Sequence, residues 1–173
     1  MTNLSILVAP HPQLKQKAVA VGRVDDEVRR LMDSMLQTMY EASGVGLAAP
    51  QVGVLKRVIV VDVSGPDQPA EPLRLADPEI LWRSDDLVTG EEGCLSLPDQ
   101  FADVTRPSTV RIRFRDEHDQ LQEIEADGLL AKCVQHEIDH LEGILFVDHL
   151  SALKRGIILR KLTKARRQGA AAE

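Results

Sequence analysis

The 173-residue sequence has no apolar run long enough to cross a bilayer, which excludes a protein with membrane-spanning helices. Residues Met1 to Pro10 lack the basic start and the small-residue cleavage site of a signal peptide. There are only two cysteines, Cys94 and Cys133, too few for a disulfide framework, and no internal repeat is present. These absences predict one domain, residues 1–173, in a reducing cytoplasm.

What the sequence does have suits a folded enzyme of this size. The hydrophobic content of 43% is enough to build a core, and the charged content of 28% is enough to cover a surface. The formal net charge is −6.

The most informative segment is His136-Glu137-Ile138-Asp139-His140. Two histidines four residues apart on a helix face the same way and can bind one metal ion, and the glutamate between them can handle the proton of an activated water. The apolar spacing around the segment predicts a helix that begins near Asp127, a candidate cap, and stops at Gly143. The residues that recur at the spacing of one helical face are Leu129, Leu130, Cys133, His136, Glu137, His140 and Leu141.

A metal that does chemistry usually has three protein ligands and one open position, so a third ligand must come from elsewhere. The metzincin pattern would place it at position 146, but Phe146 cannot bind a metal. Upstream, Cys94 lies in Glu92-Gly93-Cys94-Leu95-Ser96, where glycine permits close approach and a thiolate would serve as a soft ligand. The alternative is that Cys94 is a small core residue.

A third segment, Gly44-Val45-Gly46-Leu47-Ala48-Ala49-Pro50-Gln51, also permits close approach of the backbone and ends in a side-chain amide. By itself a G-x-G pattern is more often a simple turn. A phosphate loop is disfavoured because no Lys-Ser or Lys-Thr follows.

In their order and separation, GVGLAAPQ, EGCLS and QHEIDHLEG resemble the three signature segments of the bacterial peptide deformylases. The likeness covers nearly the whole chain. It implies hydrolysis of the formyl group from N-formylmethionyl nascent peptides, with formate and a free amino terminus as products.

Residue by residue, the resemblance implies three metal ligands, Cys94, His136 and His140. It makes Glu137 the general acid/base, and Gln51 and the backbone N–H of Leu95 the donors to the oxyanion. It also implies that the substrate contacts Gly44, Val45, Gly46, Glu92, Gly93 and Cys133. The implied metal is Fe²⁺, for which Zn²⁺, Ni²⁺ or Co²⁺ can substitute. Phe101 and Lys132 depart from residues common in relatives beside the substrate groove.

The expected fold is α+β, with antiparallel strands wrapped around the central metal-binding helix and helices near both ends. A methionine-rich amphipathic pattern predicts a first helix before the glycine segment. Val58 to Val63 predicts a buried strand, and Ser64 to Pro72 an exposed loop. Val110, Ile112 and Phe114 alternate as a strand that a turn at Asp116 to Gln120 would pair with Leu121 to Ile124. Ser151 is a candidate cap for a last helix whose Leu153, Ile157, Ile158 and Leu162 would pack on the body.

That last helix, about residues 151–167, is strongly basic. Its cations are Lys154, Arg155, Arg160, Lys161, Lys164, Arg166 and Arg167, against the single Glu173 that follows. It could contact ribosomal RNA beside emerging chains, or it could simply be a solvated face. We expect a monomer that binds neither DNA nor membranes.

Other features are expected to lack a catalytic role. His11, His118 and His149 fall in polar segments and are predicted at the surface, and Glu91 and Arg106 as surface or supporting charges. Two other functions remain open: a catalytically silent relative that binds peptides or ribosomes, and a peptidase.

Overall fold

The fold is described from a computed structural model of residues 3–172, of which residues 170–172 are described by backbone only. Met1 and Thr2 of the N-terminal segment and Glu173 of the basic tail lie outside the described residues. The helices are α1 (Asp26–Glu41), α2 (Gly128–Leu141) and α3 (Ala152–Ala172). The strands are β1 (Gly46–Ala48), β2 (Val58–Val61), β3 (Leu73–Arg83), β4 (Leu87–Cys94), β5 (Leu97–Pro107), β6 (Thr109–Arg115) and β7 (Leu121–Asp127). Three short 3-10 helices span Pro12–Lys15, Ala49–Val52 and Phe146–His149.

Five strands form one antiparallel sheet in the order β1-β2-β3-β6-β7, and β4 pairs with β5 in a separate hairpin. The predicted alternation in β6 is confirmed, because Val110, Ile112 and Phe114 are buried. Ile112 pairs with Ile124 across the predicted hairpin. The α+β class is thereby confirmed.

Helix α2 is the centre of the fold and packs against the large sheet. Its core residues Val134, Ile138 and Leu141 join the cluster that includes Ile59, Leu75 and Ile112. One prediction about α2 is wrong: Asp127 occupies the N-cap position, but its side chain makes no capping hydrogen bond. Leu129 shares a cleft-lining face with Cys133, His136 and Glu137, as its spacing predicts, and is 50% exposed at the rim of the cleft.

Helix α1 follows the predicted pattern, with Met32, Met35 and Met39 fully buried. Its start is fixed by Asp25, whose side chain accepts a hydrogen bond from the N–H of Val28 at 2.9 Å. The predicted strand at Val58 is buried but ends at Val61. The buried residues of α1 pack against Leu47 of β1 and against Val58 and Val60 of β2, and so support the glycine segment.

Helix α3 begins as predicted, because the Ser151 hydroxyl accepts a hydrogen bond from the N–H of Lys154 at 3.2 Å. Ile158 and Leu162 pack on the body. Leu153 and Ile157, however, are 70% and 39% exposed, which corrects the prediction for these two residues. They lie in the part of the helix whose basic residues face solvent. Within residues 3–172, no helix combines the length and the apolarity that a membrane span needs.

Candidate active site

A cleft of about 480 Å³ brings the three sequence segments together. Its wall comprises the loop into β1, the tight turn between β4 and β5, and one face of α2. Each predicted site residue lines it except His140, which lies behind His136.

Cys94, His136 and His140 converge on one point beside the cleft. One ligand atom from each lies within 4.8 Å of the other two. The Cys94 Sγ is 3.4 Å from Nε2 of His140, and the rings of the two histidines are 5.1 Å apart between centroids. A register break between Gly93 and Cys94 turns the end of β4 toward α2. One sulfur and two nitrogens at this spacing fit a tetrahedral metal site with one open position.

His136 is oriented from behind by a buried carboxylate. Its Nδ1 is 3.0 Å from Oε1 of Glu92, which leaves Nε2 facing the other two donors. Arg106 holds Glu92 through two hydrogen bonds, of 2.6 Å from Nε and 2.9 Å from Nη2. Burial alone would raise the pKa of Glu92, but the hydrogen bonds from Arg106 and His136 outweigh it and lower the pKa to about 2.

Glu92 lines the cleft, but both of its oxygens contact protein partners, so it also orients His136 in addition to the expected substrate contact. Arg106 was expected as a surface or supporting charge. It is 6% exposed and holds Glu92, which agrees with the supporting alternative. The signal for its burial was the alternation along β5, since Val104 is also buried and Thr105 is not.

The surroundings of His136 and His140 shift the pKa values of the two side chains in opposite directions. Burial opposes a charge on His136, but hydrogen bonds to Cys94 and Glu92 outweigh burial and raise its pKa well above the usual value. Burial lowers the pKa of His140 well below the usual value, with further repulsion from His136. The surroundings of His136 thus favour positive charge, and His140 is a neutral imidazole, which suits a cation bound between them.

Glu137 lies on the cleft side of the same helix and is 4% exposed. Its Oε1 is 4.0 Å from Nε2 of His136, and among residues 3–172 nothing donates a hydrogen bond to its buried Oε2. Burial raises the pKa of Glu137 to about 7. An unpaired buried carboxylate of this kind needs a partner that the protein itself does not supply.

Gln51 faces the metal-site cysteine from the 3-10 helix Ala49–Val52. Its Oε1 accepts a hydrogen bond from the N–H of Ala48 at 2.9 Å, which fixes the amide so that Nε2 points into the site. Nε2 lies 3.0 Å from the Ser96 hydroxyl and 3.4 Å from Sγ of Cys94. Ser96 was missed as a site residue, although it belongs to the EGCLS segment. Leu95 also lines the cleft.

The glycines in these segments are required by close packing. A Cβ at Gly46 would lie 2.7 Å from Sγ of Cys133 and 2.8 Å from Oε1 of Glu137. A Cβ at Gly44 would lie 2.7 Å from Cδ1 of Leu95, and one at Gly93 2.6 Å from the Phe101 ring. Any side chain at these positions would displace a wall of the cleft.

The remaining predictions concern three residues beside the cleft and three histidines outside the metal site. Phe101 and Lys132 do border the cleft. Cys133 lines it too, and burial raises its thiol pKa well above the usual value. His118 and His149 are exposed, as predicted, and His149 also contacts Asp139. His11 is half-buried, and its side chain caps the first 3-10 helix.

A buried carboxylate beside a Cys-His-His donor set, open to a peptide-sized cleft, defines a metal-dependent hydrolase. A sequence model described as polypeptide deformylase matches residues 3–156. The chain belongs to the polypeptide deformylase family, as the resemblance of its three segments predicts.

Individual relatives agree over nearly the full length. The chain is 53% identical over 159 residues to a peptide deformylase of Phenylobacterium zucineum, with 92% of this chain and 94% of the relative covered. It is 49% identical to one from Agrobacterium fabrum, with coverages of 96% and 98%. A crystal structure of peptide deformylase from Ehrlichia chaffeensis superposes with a TM-score of 0.93 at 36% identity, covering 98% of this chain and 99% of that one. A second structure, of that organism's enzyme in complex with actinonin, gives 0.91 at 38% identity, with coverages of 96% and 99%.

Proposed function

We propose that the cleft is the active site of a peptide deformylase, which hydrolyses the formyl group from the N-terminal formylmethionine of newly synthesised polypeptides and releases formate. One observation carries the assignment of roles: Glu137, whose buried Oε2 has no hydrogen-bond partner among residues 3–172, lines the same cleft as Cys94 and His136, which converge with His140.

Cys94, His136 and His140 would hold the metal ion. When bound, the metal polarises the formyl oxygen and makes a water molecule more acidic. The donor set would suit zinc, but the family resemblance points to Fe²⁺ as the metal in the cell, with Zn²⁺, Ni²⁺ or Co²⁺ able to replace it. Glu92 orients His136 toward this position, as described above.

Glu137 acts as the general acid/base. It takes a proton from the attacking water, and it later gives a proton to the nitrogen that leaves as the new amino terminus. Burial raises the pKa of Glu137, which makes it a stronger base than an exposed carboxylate and so suits the first step. Its burial keeps bulk water from competing for the proton.

Gln51 and the backbone N–H of Leu95 stabilise the oxyanion that forms as the formyl carbon becomes tetrahedral. The Gln51 amide is already aimed before substrate binds, because Ala48 fixes its oxygen. A preorganised donor costs no reorganisation during the reaction.

The substrate would lie along Gly44, Val45 and Gly46 as an extended chain, with Gly93 opposite. The methionine side chain would enter the part of the cleft that Cys133 lines. Selectivity for formyl over acetyl would follow from a slot too short for the extra methyl group.

We further propose that residues 1–173 form a single catalytic domain, acting as a cytoplasmic monomer. The basic residues of α3 point to a contact with ribosomal RNA. Pelleting with ribosomes at low and high salt tests this contact. Retention that disappears when Lys161, Lys164, Arg166 and Arg167 are changed to Ser supports it, and no retention at low salt contradicts it.

The function itself is tested by formate release from formyl-Met-Ala-Ser by protein purified anaerobically with Fe²⁺. We expect release from this peptide and none from acetyl-Met-Ala-Ser or from internal peptide bonds. No release by folded, metal-loaded protein would favour the silent peptide- or ribosome-binding module, and cleavage of internal bonds would favour a peptidase.

A further inference from the structure

We propose that Asp139 and His149 are positioning residues for His136, and that metal retention depends on this pair although neither residue lines the cleft. The inference rests on the proposed metal site at Cys94, His136 and His140. It concerns how the ligand is held, and it adds two residues to those that the reaction assigns.

Arg106 is the link between the cleft and this pair. Its Nε and Nη2 bind the two oxygens of Glu92, and its Nη1 donates to Oδ2 of Asp139 at 3.0 Å. The guanidinium is planar, so a third anchored nitrogen fixes the plane in which Glu92 is held. The Arg106 side chain is 7% exposed and that of Asp139 is 22% exposed, so the contact between them is largely shielded from water.

Arg106 orients His136 through one oxygen of Glu92 that contacts both side chains. Oε1 of Glu92 accepts from Nη2 of Arg106 and also lies 3.0 Å from Nδ1 of His136. If the guanidinium tilts, this oxygen moves and the imidazole turns with it. The direction of Nε2 toward the metal therefore depends on how firmly Arg106 is held.

Asp139 is held in turn by His149, whose Nε2 lies 2.8 Å from the same Oδ2 that accepts from Arg106. Because a carboxylate only accepts, His149 must donate from Nε2. His149 ends the 3-10 helix Phe146–His149.

The same short helix also reaches His136 by a second path. The Phe146 ring stacks on the His136 ring with centroids 6.3 Å apart and an interplanar angle of 26°. One face of the ligand is thus supported by Phe146 and its Nδ1 edge by the chain from Glu92 to His149. The 3-10 helix therefore supports His136 from two directions.

The chain offers a matched control in Asp148, the neighbour of His149 on the same helix. Asp148 forms ion pairs with Lys15 and Arg155 and accepts a hydrogen bond from the N–H of Leu145. Asp148→Asn removes these ion pairs but keeps an oxygen that can accept from the N–H of Leu145, so the 3-10 helix keeps its cap while the fold loses stability. Asp148 makes no contact with Arg106 among the bonds of the described residues.

The test uses protein loaded with Co²⁺ and follows two readouts: the rate of metal transfer to an excess of chelator, and the visible absorption of the bound ion. Wild type is compared with Asp139→Ala, Asp139→Asn, His149→Phe and Asp148→Asn. Melting temperatures are recorded for all five proteins.

Residues that hydrogen-bond directly to a metal ligand typically contribute about 10–100-fold to metal affinity. A residue one hydrogen bond further from the ligand should contribute less. We expect Asp139→Ala to release cobalt about 3–10-fold faster with an altered spectrum. Asp139→Asn keeps an oxygen for Arg106 and should therefore retain cobalt better than Asp139→Ala, though less well than wild type. His149→Phe should shift both readouts in the same direction, and Asp148→Asn should lower the melting temperature alone.

Wild-type release rates and spectra in Asp139→Asn and His149→Phe would overturn the inference and leave the proposed function intact, even if Asp139→Ala does not fold. An equal effect in Asp148→Asn would also overturn it, because general destabilisation would then account for the change. If wild type binds no cobalt at this site, the proposed metal site fails and the inference fails with it.

Discussion

Gln51 and Cys94 are 43 positions apart in the sequence, yet Nε2 of the glutamine lies 3.4 Å from Sγ of the cysteine. The contact places an amide donor from one motif beside a ligand from another. The amide is held by the N–H of Ala48 on one side and by the Ser96 hydroxyl on the other.

This arrangement predicts that Gln51→Ala lowers turnover by about 10²-fold, because one oxyanion donor is removed. The loss should fall on kcat, with the metal content unchanged. Steady-state kinetics on formyl-Met-Ala-Ser checks the prediction, with Ser96→Ala as the control that loses only a neighbour of the amide. A loss in Ser96→Ala as large as that in Gln51→Ala would contradict a direct role for Gln51.

Gly46→Ala should reduce kcat/KM by about 10²-fold, because the new methyl group would meet both Cys133 and Glu137 and displace the carboxylate. Gly169→Ala on α3 is the matched control, since a Cβ there has no neighbour within 4 Å. The same assay compares the two variants. Wild-type activity in Gly46→Ala would mean that the position of Glu137 is not critical.

Cys94→Ser should weaken metal binding by at least about 10²-fold, more than loss of an outer partner costs, because a hydroxyl is a poor substitute for a thiolate. The measurement is metal content by mass spectrometry after dialysis against a chelator. Cys133→Ser, the other cysteine facing the cleft, should keep its metal. Full metal content in Cys94→Ser would remove Cys94 from the ligand set.

A pH-dependent part of the stability lies outside the lining of the cleft, at Asp62, which is 5% exposed. Burial would raise its pKa, but hydrogen bonds from Ser64, Tyr40 and the N–H of Glu71 outweigh burial and lower it. A carboxylate with a depressed pKa stabilises the fold above its unfolded value, about 4, and loses that contribution as the pH falls through its folded value.

Asp62→Asn should therefore destabilise the protein by about 1–3 kcal/mol at pH 7, with a smaller difference from wild type below about pH 4. Urea unfolding at a series of pH values measures this. Asp67→Asn, an exposed position in the same loop, is the control. An Asp62→Asn penalty that stays constant down to pH 3 would contradict the pKa assignment.

Local patterns were enough to predict the elements that build the site. The spacing around His136 and His140 predicted the helix, and the alternation at Val110 to Phe114 predicted a strand. The degree of burial of each residue could not be predicted from the sequence. Leu129, Leu153 and Ile157 are apolar and correctly spaced, but they lie where a helix runs past the body of the protein, and only tertiary packing decides that.

Only part of the buried polar network could be predicted from the sequence. The alternation along β5 places Arg106 on the same face as Val104, but its pairing with Glu92 and Asp139 depends on how the β4–β5 hairpin packs against α2. The contact between Glu92 and Arg106 could not be inferred from the segment around Glu92 alone.

The proposed reaction depends above all on Glu137, which moves the proton at a metal held by Cys94, His136 and His140. The most direct measurement is formate release from formyl-Met-Ala-Ser by anaerobically iron-loaded Glu137→Gln, with its metal content measured beside that of wild type. We predict a rate at least about 10²–10⁴-fold lower with the metal retained. A metal-loaded variant within a few-fold of the wild-type rate would contradict the central claim.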